Sequence, residues 1–391
     1  MEDAEMTTRT TRSIQIGDIS IGGGHPVLLQ SMCATKTTDV AATAQLAETL
    51  KNAGAGLVRV AVDTKNDTAA LPAIREKTSA RLSVDLHENY RLVKLVAPYV
   101  EKIRYNPGHL HHVETEIPWQ DKVKRIADIA GEHHCALRVG VNCGSLDPAQ
   151  KSEDLPMLSS TLEHAELLDS IGFTNYCVSL KSSDPEMVIT ANREFARRRP
   201  DVPIHLGLTE AGIPPEAVRK SRAALEPLLF QGIGDTLRVS LTVPNSRKHE
   251  EIETGRLILA NVAAGRIMTP ADLEKNRLNL ICCPSCARVE NDQFVELAET
   301  IRCVTQFAAD FPVTIAVMGC RVNGPGETDH ADLGIWCGPN HVNLKRGEKP
   351  LGTFSYDQIV EKVVEELTSI IARRSSGPFS SRNGRVGESE E

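Results

Sequence analysis

The chain has 391 residues, more than one hydrophobic core normally organises, so two domains are expected. It is 41% hydrophobic, 25% charged and 4% aromatic with a formal net charge of -8, an enzyme-like composition with no overall pull toward nucleic acid or an acidic membrane surface. No apolar run reaches transmembrane length and the polar start MEDAEMTTRTTR lacks a signal-peptide core, so a cytoplasmic location is expected and the ten cysteines are read as buried small residues, ligands or reactive thiols.

Residues 1–12 read as a loose, disordered tail. SIQIGDISIGG alternates apolar and polar residues about a Gly-Asp turn and predicts a short hairpin. Eight short β-rich runs follow: VLLQSM (27–32), LVRVAV (57–62), LSVDL (82–86), KIRYNP (102–107), LRVGVN (137–142), YCVSLK (176–181), IHLGLTE (204–210) and TLRVSLT (236–242). Helix-length segments separate them, such as DVAATAQLAETLKNAG (39–54), which Gly54 and Gly56 stop before the next run. Near-continuous apolar runs suit parallel strands covered on both faces. Eight such units with a closing hairpin favour a (β/α)8 TIM-type barrel over 13–265, against a doubly wound open sheet as the competing topology.

The pattern then changes. LNLICC (278–283) reads as a strand, 292–307 as a helix, VTIAVMGC (313–320) as a strand, and 332–338 with 341–347 as a hairpin. Residues 356–374 form an amphipathic helix pattern, which completes a small α+β domain over 266–375. The last stretch, 376–391, has too little apolar content to fold and is expected to be disordered.

In a parallel barrel the active site lies at the C-terminal ends of the strands. Here those ends carry polar residues: His87, Asn106, Asn142, Lys181 and Glu210, with Ser240 late in the eighth run. Arginines recur inside the runs at Arg59, Arg104, Arg138 and Arg238. Strand residues two apart share a face, so Arg104 sides with Asn106, Arg138 with Asn142 and Arg238 with Ser240. An arginine is costly to bury without a partner, and its fork suits phosphate oxygens. The plainer alternative pairs each arginine with an Asp or Glu, or turns it outward. Four together favour a phosphorylated substrate. No GxxxxGK[ST] loop supports P-loop nucleotide chemistry.

CCPSC (282–286) contains a Cys-x-x-Cys pair, Cys283 and Cys286, with no second such pair to complete a zinc ribbon. Cys320 ends the VTIAVMGC run and enters a glycine-rich turn whose amides can approach a sulfur-rich anion. Three thiolates and one replaceable position suit an iron–sulfur cluster better than a closed structural site. Glu327 is an oxygen donor at the end of that turn, and Cys337 stays open as a further ligand. Cys282 in an extended chain points away from Cys283, and Cys303 reads as a packing residue. Cys33, Cys135, Cys143 and Cys177 default to small buried hydrophobes; Cys33 and Cys143, at strand ends, are also placed to line the site.

The stretches QSMCATKTTDV, LVRVAV, DLHENYR, IRYNPG, LRVGVNCGSL, VSLKSSD, HLGLTEAG, GIGDTLRVSL, CPSCARVE and GCRVNGPGE occur in this order between about residue 14 and residue 337. By them the chain resembles the 4-hydroxy-3-methylbut-2-en-1-yl diphosphate synthase family of the methylerythritol phosphate route to isoprenoids, in its two-domain form. The resemblance implies a [4Fe–4S] cluster on Cys283, Cys286, Cys320 and Glu327, with Cys282 a neighbour rather than a ligand. It implies reductive opening and dehydroxylation of 2-C-methyl-D-erythritol 2,4-cyclodiphosphate, with electrons from flavodoxin or ferredoxin. Arg59, Arg104, Arg138, Lys181, Arg238 and Ser240 would then touch substrate phosphates, with Asn106 and Asn142 nearby. Glu210 would be the acid–base group and His87 a weaker candidate. It also implies a homodimer in which one subunit's cluster domain caps the other's barrel. Two competing readings are a phosphate-binding barrel lyase or pterin-type transferase with a structural zinc domain, and a non-enzymatic iron–sulfur sensor, which would not need the arginines.

Overall fold

The computed structural model describes residues 9–143, 146, 155–274, 277–291, 293–321, 324–329 and 331–375. Residues 9–12, expected as part of a loose tail, are pinned to the barrel. The Thr11 hydroxyl donates to Asp235 Oδ1 at 3.0 Å, and Arg12 pairs with Asp169 at 3.0 Å while lying 4.3 Å over the Tyr176 ring. The rest of that tail and the segment 376–391 lie outside the described residues.

The predicted hairpin forms as β1 (Ile14–Ile16) and β2 (Ile19–Ile21), turning at Gly17, whose φ of +60° suits a residue without a Cβ. Ile14, Ile16 and Ile21 pack on Leu57, Ala136 and Cys177, early residues of three barrel strands. The hairpin therefore plugs the N-terminal end and leaves the opposite end for chemistry.

The barrel strands are β3 (Leu28–Met32), β4 (Leu57–Ala61), β5 (Leu82–Asp85), β6 (Lys102–Tyr105), β7 (Ala136–Asn142), β8 (Tyr176–Lys181), β9 (His205–Leu206) and β10 (Thr236–Leu237). All pair in parallel, in the order β8-β7-β6-β5-β4-β3-β10-β9, and a bridge between Val178 and Ile204 brings the two ends together. Helices α1 (Val40–Asn52), α2 (Lys65–Lys77), the short α3 (Val93–Val96), α4 (Trp119–Glu132), α5 (Pro156–Ser170), α6 (Pro185–Arg198), α7 (Glu216–Phe230) and α8 (Glu250–Ala263) lie between and after the strands. The sheet is closed rather than an open doubly wound layer. Its strands alternate: Val58, Val60, Val84, Ile103, Val139 and Val178 join the apolar core, while the other face carries charge.

Two runs are shorter than the sequence suggested. Only two residues of 204–210 and two of 236–242 pair as strand. Their continuations turn instead toward the second domain: Ala211 bridges Cys282, and the Thr242 hydroxyl donates to the Cys282 and Cys283 carbonyls at 3.2 and 3.0 Å.

The second domain is β11 (Asn279–Cys282), α9 (Phe294–Val304), β12 (Thr314–Met318), α10 (Gly324–Glu327), β13 (Leu333–Cys337), β14 (Val342–Arg346), β15 (Lys349–Phe354) and α11 (Tyr356–Ser375). β11, β12 and β13 pair in parallel, and β13, β14 and β15 antiparallel. β15 was not foreseen, because KPLGTF carries a proline and a glycine that read as loop; at the sheet edge both are tolerated. Phe294, Leu297 and Ile301 of α9 and Ile359, Val363, Leu367 and Ile370 of α11 share one core with Ile315, Val317, Leu333 and Ile335. No helix among the described residues is long and apolar enough to cross a membrane.

Candidate active site

The C-terminal end of the barrel is lined by inward residues of successive strands. Arg59 stands on β4, Asp85 on β5, Arg104 on β6, Arg138 on β7, Lys181 on β8 and Arg238 just past β10, all buried. Their positions follow from the pleat: Arg59 is in register with Ser83, Asp85 with Arg104, and Arg104 with Arg138. Space for these long side chains comes from missing ones. A Cβ on Gly140 would lie 2.3 Å from Arg104 Nε, and one on Gly207 would lie 2.5 Å from Lys181 Nζ. Both glycines are close-approach positions that let charged side chains cross the barrel axis.

The charges do not balance. Asp85 serves two arginines, accepting from Arg104 Nη1 at 2.9 Å and pairing with Arg59 at 3.3 Å. The pairing alternative thus holds for these two, and for Arg238, which is 3.5 Å from Glu251. It fails for Arg138, which among the described residues has one hydrogen bond, a donation to Ser179 Oγ at 3.1 Å, and no partner for Nε and Nη2. Arg238 Nε and Nη2 and Arg104 Nε also lack hydrogen-bond partners among the described residues. Among the described residues Lys181 Nζ meets the His205 ring, donating to Nε2 at 3.2 Å, which assigns the ring proton to Nδ1 facing Thr236 Oγ1.

Burial pushes Arg59 down to about 10 despite Asp85. It pushes Arg138 and Lys181 well below their ordinary values, with the surrounding cations adding to the effect. An arginine does not give up its proton in a protein, so this strain is an unmet demand for negative charge. Asp85 shows the reverse: burial alone would raise it, but the Arg104 and Arg59 guanidiniums beside it hold it well below the usual carboxylate range. The mouth is a preformed anion site with room for more negative charge than Asp85 and Glu251 supply.

Asn106 and Ser240 are buried beside this ring, and Asn106 Oδ1 accepts from the Gly108 amide at 3.2 Å; Asn142 ends β7, half-buried. His87 and Glu210 share an uncommon backbone, with φ of 46° and 50°. Such left-handed non-glycine residues cost energy and concentrate at functional sites. His87 is pushed well below its ordinary value, first by burial and then by Arg288, so it is a neutral imidazole at pH 7. Glu210 is buried at the junction with the second domain, next to Ala211 on Cys282.

The CCPSC segment hangs over this mouth. Lys36 Nζ donates to the Ala287 carbonyl at 3.0 Å and also to that of Val289, and Lys248 holds the Pro284 carbonyl. Cys283 is pushed well above its ordinary value by burial and by the neighbouring Cys320 and Cys286, while the Gly319 amide donates to its Sγ at 3.3 Å. Arg288 is raised by Cys286, Cys320 and Asp85 against the opposing effect of burial, so it bridges thiols and barrel. Cys283 beside Cys286 and Cys320, an amide aimed at its sulfur and a guanidinium alongside fit a polynuclear metal–sulfur group. No group of three or more His, Cys, Asp or Glu among the described residues is spaced for a single metal ion. Glu327 ends α10, and its side chain lies outside the described atoms.

The other thiols sort by burial. Cys282 is fully buried in the second core, and burial raises it. Cys337 is buried there too, close to Tyr356, and pushed up to about 12 by burial. Cys33, Cys135 and Cys177 are buried, with Cys33 Sγ turned to the Thr43 carbonyl. Cys303 and Cys143 depart from expectation: both are exposed, because Cys303 lies on the solvent side of α9 and Cys143 follows the end of β7.

Sequence reasoning overlooked Asp85, Lys102, His205, Glu251 and Arg288. The first two had a legible signal: Asp85 and Lys102 sit two residues from His87 and Arg104, on the same strand faces.

Residues 11–256 match the GcpE TIM-barrel domain, and residues 279–369 match the GcpE protein C-terminal domain. A 4-hydroxy-3-methylbut-2-en-1-yl diphosphate synthase (flavodoxin) of Rhodopirellula baltica is 55% identical over 370 residues, covering 93% of this chain and 97% of that one. A protein of the same name from Salinispora tropica is 38% identical over 364 residues, covering 92% and 88%. Among solved structures, the Yersinia pestis dihydropteroate synthase superposes with a TM-score of 0.47 at 14% identity, covering 65% of this chain and 98% of that one, a likeness without bearing on the chemistry.

Proposed function

We propose a reaction for this chain on a premise that its two domain matches make plain: it belongs to the GcpE family. The chain is an oxidoreductase, a 4-hydroxy-3-methylbut-2-en-1-yl diphosphate synthase of isoprenoid precursor biosynthesis. It opens the ring of 2-C-methyl-D-erythritol 2,4-cyclodiphosphate and removes a hydroxyl. Two electrons enter, and the hydroxyl leaves as water.

The observation that supports this reading most is the excess of buried cations at the barrel mouth, facing three thiols across one junction. Arg59, Arg104, Arg138, Lys181, Arg238 and Ser240 bind the diphosphate, with Asn106 and Asn142 beside it. The diphosphate supplies the charge that Arg138 lacks. Cys283, Cys286 and Cys320 would hold a [4Fe–4S] cluster with Glu327 as the exchangeable fourth ligand, and that cluster would supply electrons one at a time. Glu210, buried beside the cysteine segment, gives the proton that turns the departing hydroxyl into water. His87, neutral and next to Asp85, keeps that side of the site in register. Water is excluded by the cysteine domain lying over the barrel.

Flavodoxin is the electron donor named for the relatives, and it or a ferredoxin serves here, in the cytoplasm. The resemblance adds a homodimer in which one subunit's cysteine domain caps the other's barrel. The test is anaerobic reconstitution with iron and sulfide, followed by an assay with the cyclic diphosphate and a one-electron reductant. Brown protein that forms the linear diphosphate supports the reading. A colourless protein that binds zinc and leaves the cyclic diphosphate intact overturns it.

A further inference from the structure

We infer that Lys248 is a positioning residue that ties the cysteine loop to the phosphate-binding side of the barrel and tunes the reduction potential of the cluster on that loop. The inference rests on the function proposed above. Lys248 lies just before α8 and is fully buried. An ammonium has three N–H donors. Here all three are engaged: with the Leu241 carbonyl at 3.0 Å, Glu251 Oε1 at 3.0 Å and the Pro284 carbonyl. Pro284 stands between Cys283 and Cys286, so one donor of a buried cation is fixed on the segment that presents two thiols.

The other end of the network reaches the anion site. Glu251 is fully buried and accepts from Ser31 Oγ at 2.7 Å, from the Leu241 amide at 3.1 Å and from Lys248, and its Oε1 lies 3.5 Å from Arg238 Nη2. Arg238, Glu251, Lys248 and Pro284 thus form one continuous polar path from phosphate-binding guanidinium to cysteine loop. Its three charged groups, Arg238, Glu251 and Lys248, are buried, so each charge acts through a medium of low dielectric. A methionine could fill the lysine's volume without its charge. A cation held beside Cys283 stabilises the more negative, reduced state of a cluster there, whereas Glu251 opposes it.

The experiment compares reconstituted parent, Lys248→Met, Lys248→Arg and Glu251→Gln by iron and sulfide content and by potentiometric titration followed by electron paramagnetic resonance. Lys248→Met is expected to keep the parental iron while its one-electron reduction constant falls about tenfold, roughly 59 mV. Glu251→Gln is expected to shift it in the opposite direction, and Lys248→Arg to stay within about threefold of the parent. A purely structural role would not produce opposite signs. In iron-free protein, alkylation of Cys283 and Cys286 should run several-fold faster in Lys248→Met than in the parent. Shifts of the same sign, or both variants within threefold of the parent, overturn the electrostatic role; unchanged alkylation overturns the tether. If Lys248→Met does not fold, the sign of Glu251→Gln decides. If the parent takes up no cluster, the functional reading has failed, and the alkylation rates still test the tether.

Discussion

Replacing Arg138 with methionine separates binding from stability. Among the described residues the guanidinium has no carboxylate partner, one hydrogen bond to Ser179 Oγ at 3.1 Å, and two unpartnered nitrogens deep in the barrel. A charge-assisted, two-pronged phosphate contact is worth about 1.5–3 kcal/mol. At about 1.4 kcal/mol per factor of ten, Arg138→Met should weaken inorganic diphosphate binding roughly ten- to 150-fold. Without ligand the same change removes an uncompensated buried charge, so the free protein should gain on the order of 1–3 kcal/mol. Titration calorimetry with diphosphate and urea unfolding with and without it measure both quantities. Arg104→Met is the control, since it strips Asp85 of its closest partner and should lower stability and affinity together. Equal diphosphate affinity in Arg138→Met and the parent would refute the anion site. A loss of stability would refute the claim that this charge is unbalanced.

Asp85→Asn leaves Arg59 and Arg104 facing each other and should cost about 3–5 kcal/mol in urea unfolding, largely restored by diphosphate, which replaces the lost anion. Because those cations depress the Asp85 pKa, its contribution is present above about pH 4 and lost as the pH falls below that; the acid limb of stability should flatten in the variant. Lys102 is buried with Gln30 Oε1 at 3.0 Å, near Cys177, Arg138, Arg59 and His205, and burial lowers it to about 8. Its folded value lies below the unfolded one, so it penalises stability below pH 8 and the penalty fades as the pH rises toward 10.5. An anion above it favours the charged form, so diphosphate binding near pH 8 should take up as much as about half a proton that Lys102→Met does not, read by calorimetry in two buffers. Cys283→Ser, Cys286→Ser and Cys320→Ser should lose most iron on reconstitution while Cys282→Ser and Cys303→Ser retain it. Glu327→Cys should hold iron in air longer than the parent yet turn over poorly, and parental turnover in that variant would remove ligand exchange from the mechanism.

Strand periodicity alone was enough for the barrel and for the second domain's amphipathic helix, because alternation and 3.6-residue repeats are local properties that burial then enforces. The same periodicity put Arg104 with Asn106 and Arg138 with Asn142 on common faces. It could not say which arginines were already paired: that Asp85 on one strand serves Arg59 and Arg104 on its two neighbours depends on strand order and register. Nor could it foresee how short β9 and β10 are, since the residues beyond them bond to a domain far along the chain. Cys-x-x-Cys spacing marked Cys283 and Cys286 for metal chemistry and the glycine-rich turn marked Cys320, but that Cys303 faces solvent rather than packing was decided by the fold. Composition and period are written along the chain. Charge balance, depth and the meeting of Lys248 with Pro284 arise only when distant segments share a low-dielectric interior, and that is where the chemistry of this protein is decided.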